Sequence, residues 1–162
     1  MARGSDLPFF DPVSLLATWF GSGRLPIAPG TWGSLAALPF GVALSWLGGP
    51  WLLAAGAVAV TLIGIWASGR YAEAVGAEDP GSVVIDEVAG QWIALIPAGL
   101  DPWLIGVAFV AFRVFDVAKP WPANWIDQRL TGGLGIMLDD VAAGIYAGLL
   151  CFGLSLWIGS GP

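Results

Sequence analysis

Five carboxylates interrupt otherwise apolar stretches of this chain. Asp86 and Glu87 fall in SVVIDEVAGQW, Asp116 in FRVFDVAKPWP, and Asp139 and Asp140 in GGLGIMLDDVAAG. There is no histidine, and Cys151 is the single cysteine. Ser-His-Asp and Cys-His catalysis, histidine metal ligation, phosphohistidine chemistry and an intrachain disulfide are therefore excluded, which leaves carboxylates as the acid, base and metal-binding groups. An ionised carboxylate in apolar surroundings is costly unless it is paired or bound to a cation, so a cluster of them favours a divalent ion. Oxygen-only ligands favour a hard ion, Mg2+ ahead of Mn2+ or Ca2+. A competing reading makes the acids caps and ion pairs, with Asp139 capping a last helix and Arg113, Asp116 and Lys119 neutralising one another along one helical stripe. Against it, Asp86 and Glu87 are adjacent, as are Asp139 and Asp140, and a cap needs only one acid.

A second element is the glycine-rich stretch GSGRLPIAPGTWGS, residues 21–34. Its backbone amides, Thr31 and Ser34 can cradle an anion at a helix N-terminus, and Arg24 adds charge. A plain turn accounts for the same composition, and the GxxxxGK[ST] nucleotide loop is absent. A metal-carboxylate cluster, Arg113 and Lys119 as cations, and an anion loop on an apolar scaffold together suit hydrolysis of a phosphate ester on a membrane lipid. The attack is either by water or through an aspartyl-phosphate on Asp116 or Asp140. The rival function is a small membrane cation carrier or binding subunit using the same acids as an ion path. Such a carrier is expected to place acids at mid-bilayer on broken helices.

The elements that must position these residues follow from composition. Of the 162 residues 57% are hydrophobic and 11% charged, and the mean hydropathy is +0.78. A body this small has too much surface for so few charges to cover, so part of it must face lipid. The length allows one domain, residues 1–162, and a net charge of −6 disfavours nucleic acid as a partner. Apolar runs at 35–47, 51–67, 83–100, 103–118 and 141–158 predict an all-α bundle of five membrane-associated helices. Runs of this length reach roughly 20 to 27 Å at 1.5 Å per residue, short of the ~30 Å hydrocarbon core. Trp46, Trp51, Trp66, Trp103 and Trp157 near run ends suit the headgroup level, although core filling would also employ them.

The turns GGP (48–50) and PAGLDP (97–102) predict antiparallel hairpins. The remaining connectors then share the other face with Arg24, Arg70, Arg113, Lys119 and Arg129, which is a positive-inside bias. Hence the polar site is expected on the cytoplasmic face, with Asp86 and Glu87 near the start of the third helix, Asp116 near the end of the fourth, Asp139 and Asp140 opening the fifth, and the C-terminal GSGP outside. Gly90, Ala143 and Gly144, each four residues after an acid, allow close helix approach beside the cluster. The N-terminal MARGSDLPFFDP lacks the pattern of a signal peptide. Nothing in these patterns fixes an oligomeric state.

At these residues the chain resembles the phosphatidylglycerophosphatase A family. The matching blocks are GSGRLPIAPGTWGSLAALPF (21–40), DPGSVVIDEVAGQWIAL (79–95) and FRVFDVAKPWPANWIDQRLTGGLGIMLDDVAAG (112–144). FDxxKPWP followed by GGxGIMxDD is the specific part. The resemblance implies a multi-pass, Mg2+-dependent enzyme of the bacterial inner membrane. Its implied reaction removes the terminal phosphate of phosphatidylglycerol phosphate, leaving phosphatidylglycerol. The family's acidic motifs fall on Asp86 and Glu87, on Asp116 with Lys119, and on Asp139 and Asp140.

Overall fold

The structure, a computed structural model, describes residues 7–159 and contains helices and no strand among them. The first half of the N-terminal stretch read for a signal peptide, and the last residues of GSGP, lie outside that range. The helices are α1 (Pro12–Ala17), α2 (Pro29–Val75), α3 (Ile85–Leu95), α4 (Pro102–Ala118), α5 (Ala123–Arg129) and α6 (Gly132–Gly159). Their starts follow local chemistry. The Asp11 carboxylate accepts from the Val13 and Ser14 amides, Asp101 accepts from Trp103 and Leu104, and Pro12, Pro29 and Pro102 sit in first turns where no amide is needed.

The α2 helix is a hairpin of two arms. Gly48 and Gly49 leave helical geometry, Gly49 at φ 64°, a left-handed conformation that glycine adopts without steric cost. The second arm folds back, so that Gly56 lies against Leu44, and Gly64 against Ile85 and Met137. A second reversal follows α3, where a 3-10 turn (Ile96–Ala98) and Gly99 at φ 58° lead into α4. Both tight turns therefore lie at one end of the bundle, as the Gly-Pro signals predicted.

The five runs correspond to the two arms of α2, to α3, to α4 and to α6, and four of them need corrected bounds. The third run is helical only over Ile85–Leu95 before the 3-10 turn. The first arm starts at Pro29 and the second ends at Val75. Asp139 and Asp140 do not open the last helix and neither caps it. α6 begins two turns earlier at Gly132, and both acids point into the bundle, 7% and 3% exposed. Charge ended the apolar run, but charge on an inward face does not end a helix. With its 28 residues α6 is about 42 Å long, enough to span hydrocarbon. α1 and α5 carry too few residues to leave a periodic signal and were not anticipated.

α6 is the central element because its glycines admit neighbours to the backbone. A side chain at Gly144 would strike the backbone of Gly90, and one at Gly133 the carbonyl of Ile65 on α2. The small residues near the acids do serve close approach. Around them pack Leu53, Tyr71, Val88, Leu95, Phe112 and Met137, all buried. Trp92 donates its indole N–H to the Ala37 carbonyl at 2.9 Å, locking α3 to the first arm of α2.

Much of the outside is apolar. Among the described residues α2, taken with both its arms, and α6 are long and apolar enough to cross a membrane, with 33% of each apolar window buried. Trp46, Trp51, Trp66, Trp103 and Trp157 are all exposed, whereas Trp19 and Trp92 belong to the core. Core filling thus explains the latter pair and not the former five.

A carboxylate-lined cleft as candidate active site

Helix direction brings the acids together. The first arm of α2, α3 and α6 all start at the end opposite the tight turns, and α4 ends there. At that end lies a cleft of about 500 Å³ lined by Asp86, Glu87, Asp116, Asp139 and Asp140, with Arg113 and Lys119. All five predicted acids and both predicted cations of the helices share one cavity.

Their environments differ. Asp86, Glu87 and Asp140 each contribute an oxygen to a group lying within 4.8 Å of one another. Asp86 Oδ1, Glu87 Oε2 and Asp140 Oδ2 are buried and accept no hydrogen bond among the described residues. Three buried carboxylate oxygens without donors are strongly unfavourable by themselves, and a cation among them resolves both the charge and the missing partners. The donor set is all oxygen, the chemistry of a hard divalent ion, so these residues can hold a metal.

Asp116 and Asp139 are engaged otherwise. Arg113 Nη1 lies 2.5 Å from Asp116 Oδ2 and 3.7 Å from Glu87 Oε1. Lys119 Nζ donates to Asp139 Oδ2 at 2.7 Å and to Asp127 Oδ1 at 2.5 Å. The remaining Asp139 oxygen accepts from the Asp140 amide at 3.0 Å. The ion-pair alternative thus holds for Arg113 with Asp116, while Lys119 pairs across elements rather than along its own helix. Burial opposes the Lys119 charge, but Asp127 and Asp139 outweigh it and raise the ammonium pKa above its ordinary value. The Lys119 cation is therefore present throughout the neutral range, and its ion-pair contribution fades only as pH rises through that elevated value.

The glycine-rich stretch reaches the cleft through its backbone and not through the predicted side chains. Ala28, Pro29 and Gly30, the start of α2, line the cavity, whereas Arg24, Thr31 and Ser34 do not. Arg24 instead donates to the Leu7 carbonyl at 2.5 Å and to Ser14 Oγ at 2.6 Å, tying the N-terminal segment to α1. The Ser34 hydroxyl is buried and donates to the Gly30 carbonyl at 2.9 Å, with Arg113 Nη1 at 3.5 Å on its oxygen. Gly30 is required for space, since a Cβ there would collide with Glu87 Oε1 and meet both terminal nitrogens of Arg113 at 3.1 Å.

Three acids missed in the sequence line the rim, namely Glu78, Asp79 and Asp127. Asp127 follows FDxxKPWP by a few residues in a polar stretch, where an acid attracts no notice. Its pairing with Lys119 becomes visible only when α5 folds back over the end of α4.

Comparison with known proteins agrees with this geometry. The family model for phosphatidylglycerophosphatase A matches residues 15–155. The chain is 44% identical over 151 residues to the phosphatidylglycerophosphatase A of Escherichia coli strain K12, covering 91% of this chain and 87% of that protein. It is 40% identical over 154 residues to the phosphatidylglycerophosphatase A of Haemophilus influenzae, covering 94% of each. A Bacteroides thetaiotaomicron protein, provisionally named a phosphatidylinositol-3-phosphatase, is 40% identical over 158 residues. No solved structure matches the chain. With the acidic motifs converging in one cleft and the match running almost end to end, the chain belongs to the phosphatidylglycerophosphatase A family.

Proposed function

We propose that the protein is a Mg2+-dependent lipid phosphatase that hydrolyses the terminal phosphomonoester of phosphatidylglycerol phosphate. The observation that carries this reading is the convergence of unpaired Asp86, Glu87 and Asp140 oxygens beside Arg113 and Lys119 in a chain of this family. Asp86, Glu87 and Asp140 would hold Mg2+. When bound, the ion polarises a phosphoryl oxygen and lowers the pKa of a nearby water. The chain's own groups do the rest. Lys119, held by Asp139 and Asp127, and Arg113, held by Asp116, fix positive charge at the cleft wall for the phosphoryl oxygens. The N-terminal end of α2 adds its dipole at Ala28–Gly30. Asp116 lines the same cavity, and its carboxylate would orient an attacking water.

The protein is read as a multi-pass protein of the bacterial inner membrane, its cleft facing the cytoplasm. Supporting this, the basic residues Arg24, Arg70, Arg113, Lys119 and Arg129 lie toward the cleft end, and exposed tryptophans mark both ends, Trp46, Trp51, Trp103 and Trp157 near the tight turns and Trp66, Trp121 and Trp125 near the cleft. The acids line a cleft at a bundle end rather than a path through its middle, which disfavours the carrier alternative.

The deciding experiment measures phosphate release by purified protein in mixed micelles. Phosphatidylglycerol phosphate is compared with phosphatidic acid and phosphatidylinositol 3-phosphate, with Mg2+, with EDTA, and after Mg2+ is restored. Release from phosphatidylglycerol phosphate that EDTA abolishes and Mg2+ restores is expected. Activity indifferent to EDTA would remove the metal from the reading, and preference for the inositol lipid would change the substrate.

A further inference from the structure

The mouth of the cleft is chemically lopsided. Glu78 and Asp79, after α2, form an acidic side, while Asp127, on α5, is taken up by Lys119. Among the larger aliphatic residues that line the cavity, Val83 and Ile136 are buried and Leu130 is half-buried, but Val117 on α4 is 76% exposed. Val117 also ends an apolar stripe on the outer face of α4. Val114, Val110 and Trp103 continue it at helical spacing, 57%, 59% and 69% exposed. α4 packs on α3 and α6 and scarcely touches α2, which leaves this face open along its length.

From Val117 to Trp103 the stripe runs about 21 Å at the helical rise, against roughly 15 Å for half of a ~30 Å hydrocarbon core. It is therefore long enough to carry an acyl chain from the cleft to the middle of a bilayer. Building on the lipid phosphatase reading, we infer that the outer face of α4 is the acyl-chain track of the substrate. The phosphomonoester enters the cleft past Val117 while the diacylglycerol part stays in the membrane along Val114 and Val110. The acidic side repels the anionic headgroup and leaves the α4 side as its approach. A lipid substrate thus reaches the carboxylates without leaving its leaflet.

The test compares kcat/KM for dioleoyl and dibutanoyl forms of phosphatidylglycerol phosphate, taking the ratio within each variant so that the folded fraction cancels. Val114→Asp should lower the long-to-short ratio by roughly tenfold or more, through lost apolar contact and a charge set against the acyl chain. The milder Val114→Ser should shift it the same way. Leu62→Asp, at an equally exposed position on α2 away from the cleft, should leave the ratio within about twofold. A ratio unchanged in both Val114 variants, or lowered equally by Leu62→Asp, overturns the track. If wild-type protein releases phosphate from neither lipid, it is the phosphatase reading that fails.

Discussion

Asp140 groups with Asp86 and Glu87 and keeps a buried oxygen, Oδ2, without a partner among the described residues, while its neighbour Asp139 spends both oxygens on Lys119 and the Asp140 amide. On the proposed reading adjacent acids have separate tasks, one left open to a cation and one fixing a cation of the protein. The distinction is measurable. Asp140→Asn and Asp86→Asn should each lower kcat by about a thousandfold and weaken Mg2+ binding, because each removes an oxygen that nothing else replaces. Asp139→Asn should cost less, about 10- to 100-fold, as expected for a residue acting through another. Its effect should also be strongly non-additive with that of Lys119→Met, since the two changes break the same contact. Equal and additive losses for all four substitutions would contradict this division. Circular dichroism in detergent separates these effects from unfolding.

At the scale of elements, the site depends on how closely α3 and α6 approach. Gly90 and Gly144 meet backbone to backbone, and the Asp140 carbonyl lies 2.6 Å from where a Gly90 Cβ would sit. Neither glycine has an unusual φ, so the requirement is space rather than conformation. Gly144→Ala should therefore destabilise the bundle by about 1–3 kcal/mol, visible as a lower Tm in detergent. It should also reduce activity beyond what stability explains, because α6 carries Asp140 and α3 carries Asp86. Gly153→Ala on the same helix, where a Cβ meets nothing, serves as the neutral control. A Gly144→Ala protein as stable and active as wild type would show that the helices separate at no cost.

For the whole molecule, the two tight turns and the cleft lie at opposite ends, so a bilayer-spanning orientation exposes them to opposite compartments. In a Cys151→Ser background, Arg129→Cys on the cleft end should react with an impermeant maleimide only in inside-out membrane vesicles. Leu100→Cys, at the turn after α3, should react only in right-side-out ones. Both positions are exposed in the structure. Labelling of both from one side would mean that the bundle lies on the membrane rather than across it.

Much of this was legible beforehand because its cause is local. Glycine and proline mark the reversals at 48–50 and 97–102, apolar runs mark the long helices, and the alternation of those helices dictates that Asp86, Asp116 and Asp139–Asp140 share one end. What stayed hidden depends on distances between segments far apart in the chain. Asp139 and Asp140 look alike in sequence, and only the cross-helix reach of Lys119 tells them apart. The side chains of Arg24, Thr31 and Ser34 seemed suited to an anion, yet Arg24 is drawn to Leu7 and to Ser14 of α1 and Ser34 to the Gly30 carbonyl, so that Ala28, Pro29 and Gly30 meet the cleft instead. Residue types and their order fix which chemistry is available and at which end of the bundle. Which oxygen is left without a partner, and is therefore free to work, is decided only when the helices pack, since a hydrogen bond is satisfied by whatever neighbour comes within about 3 Å.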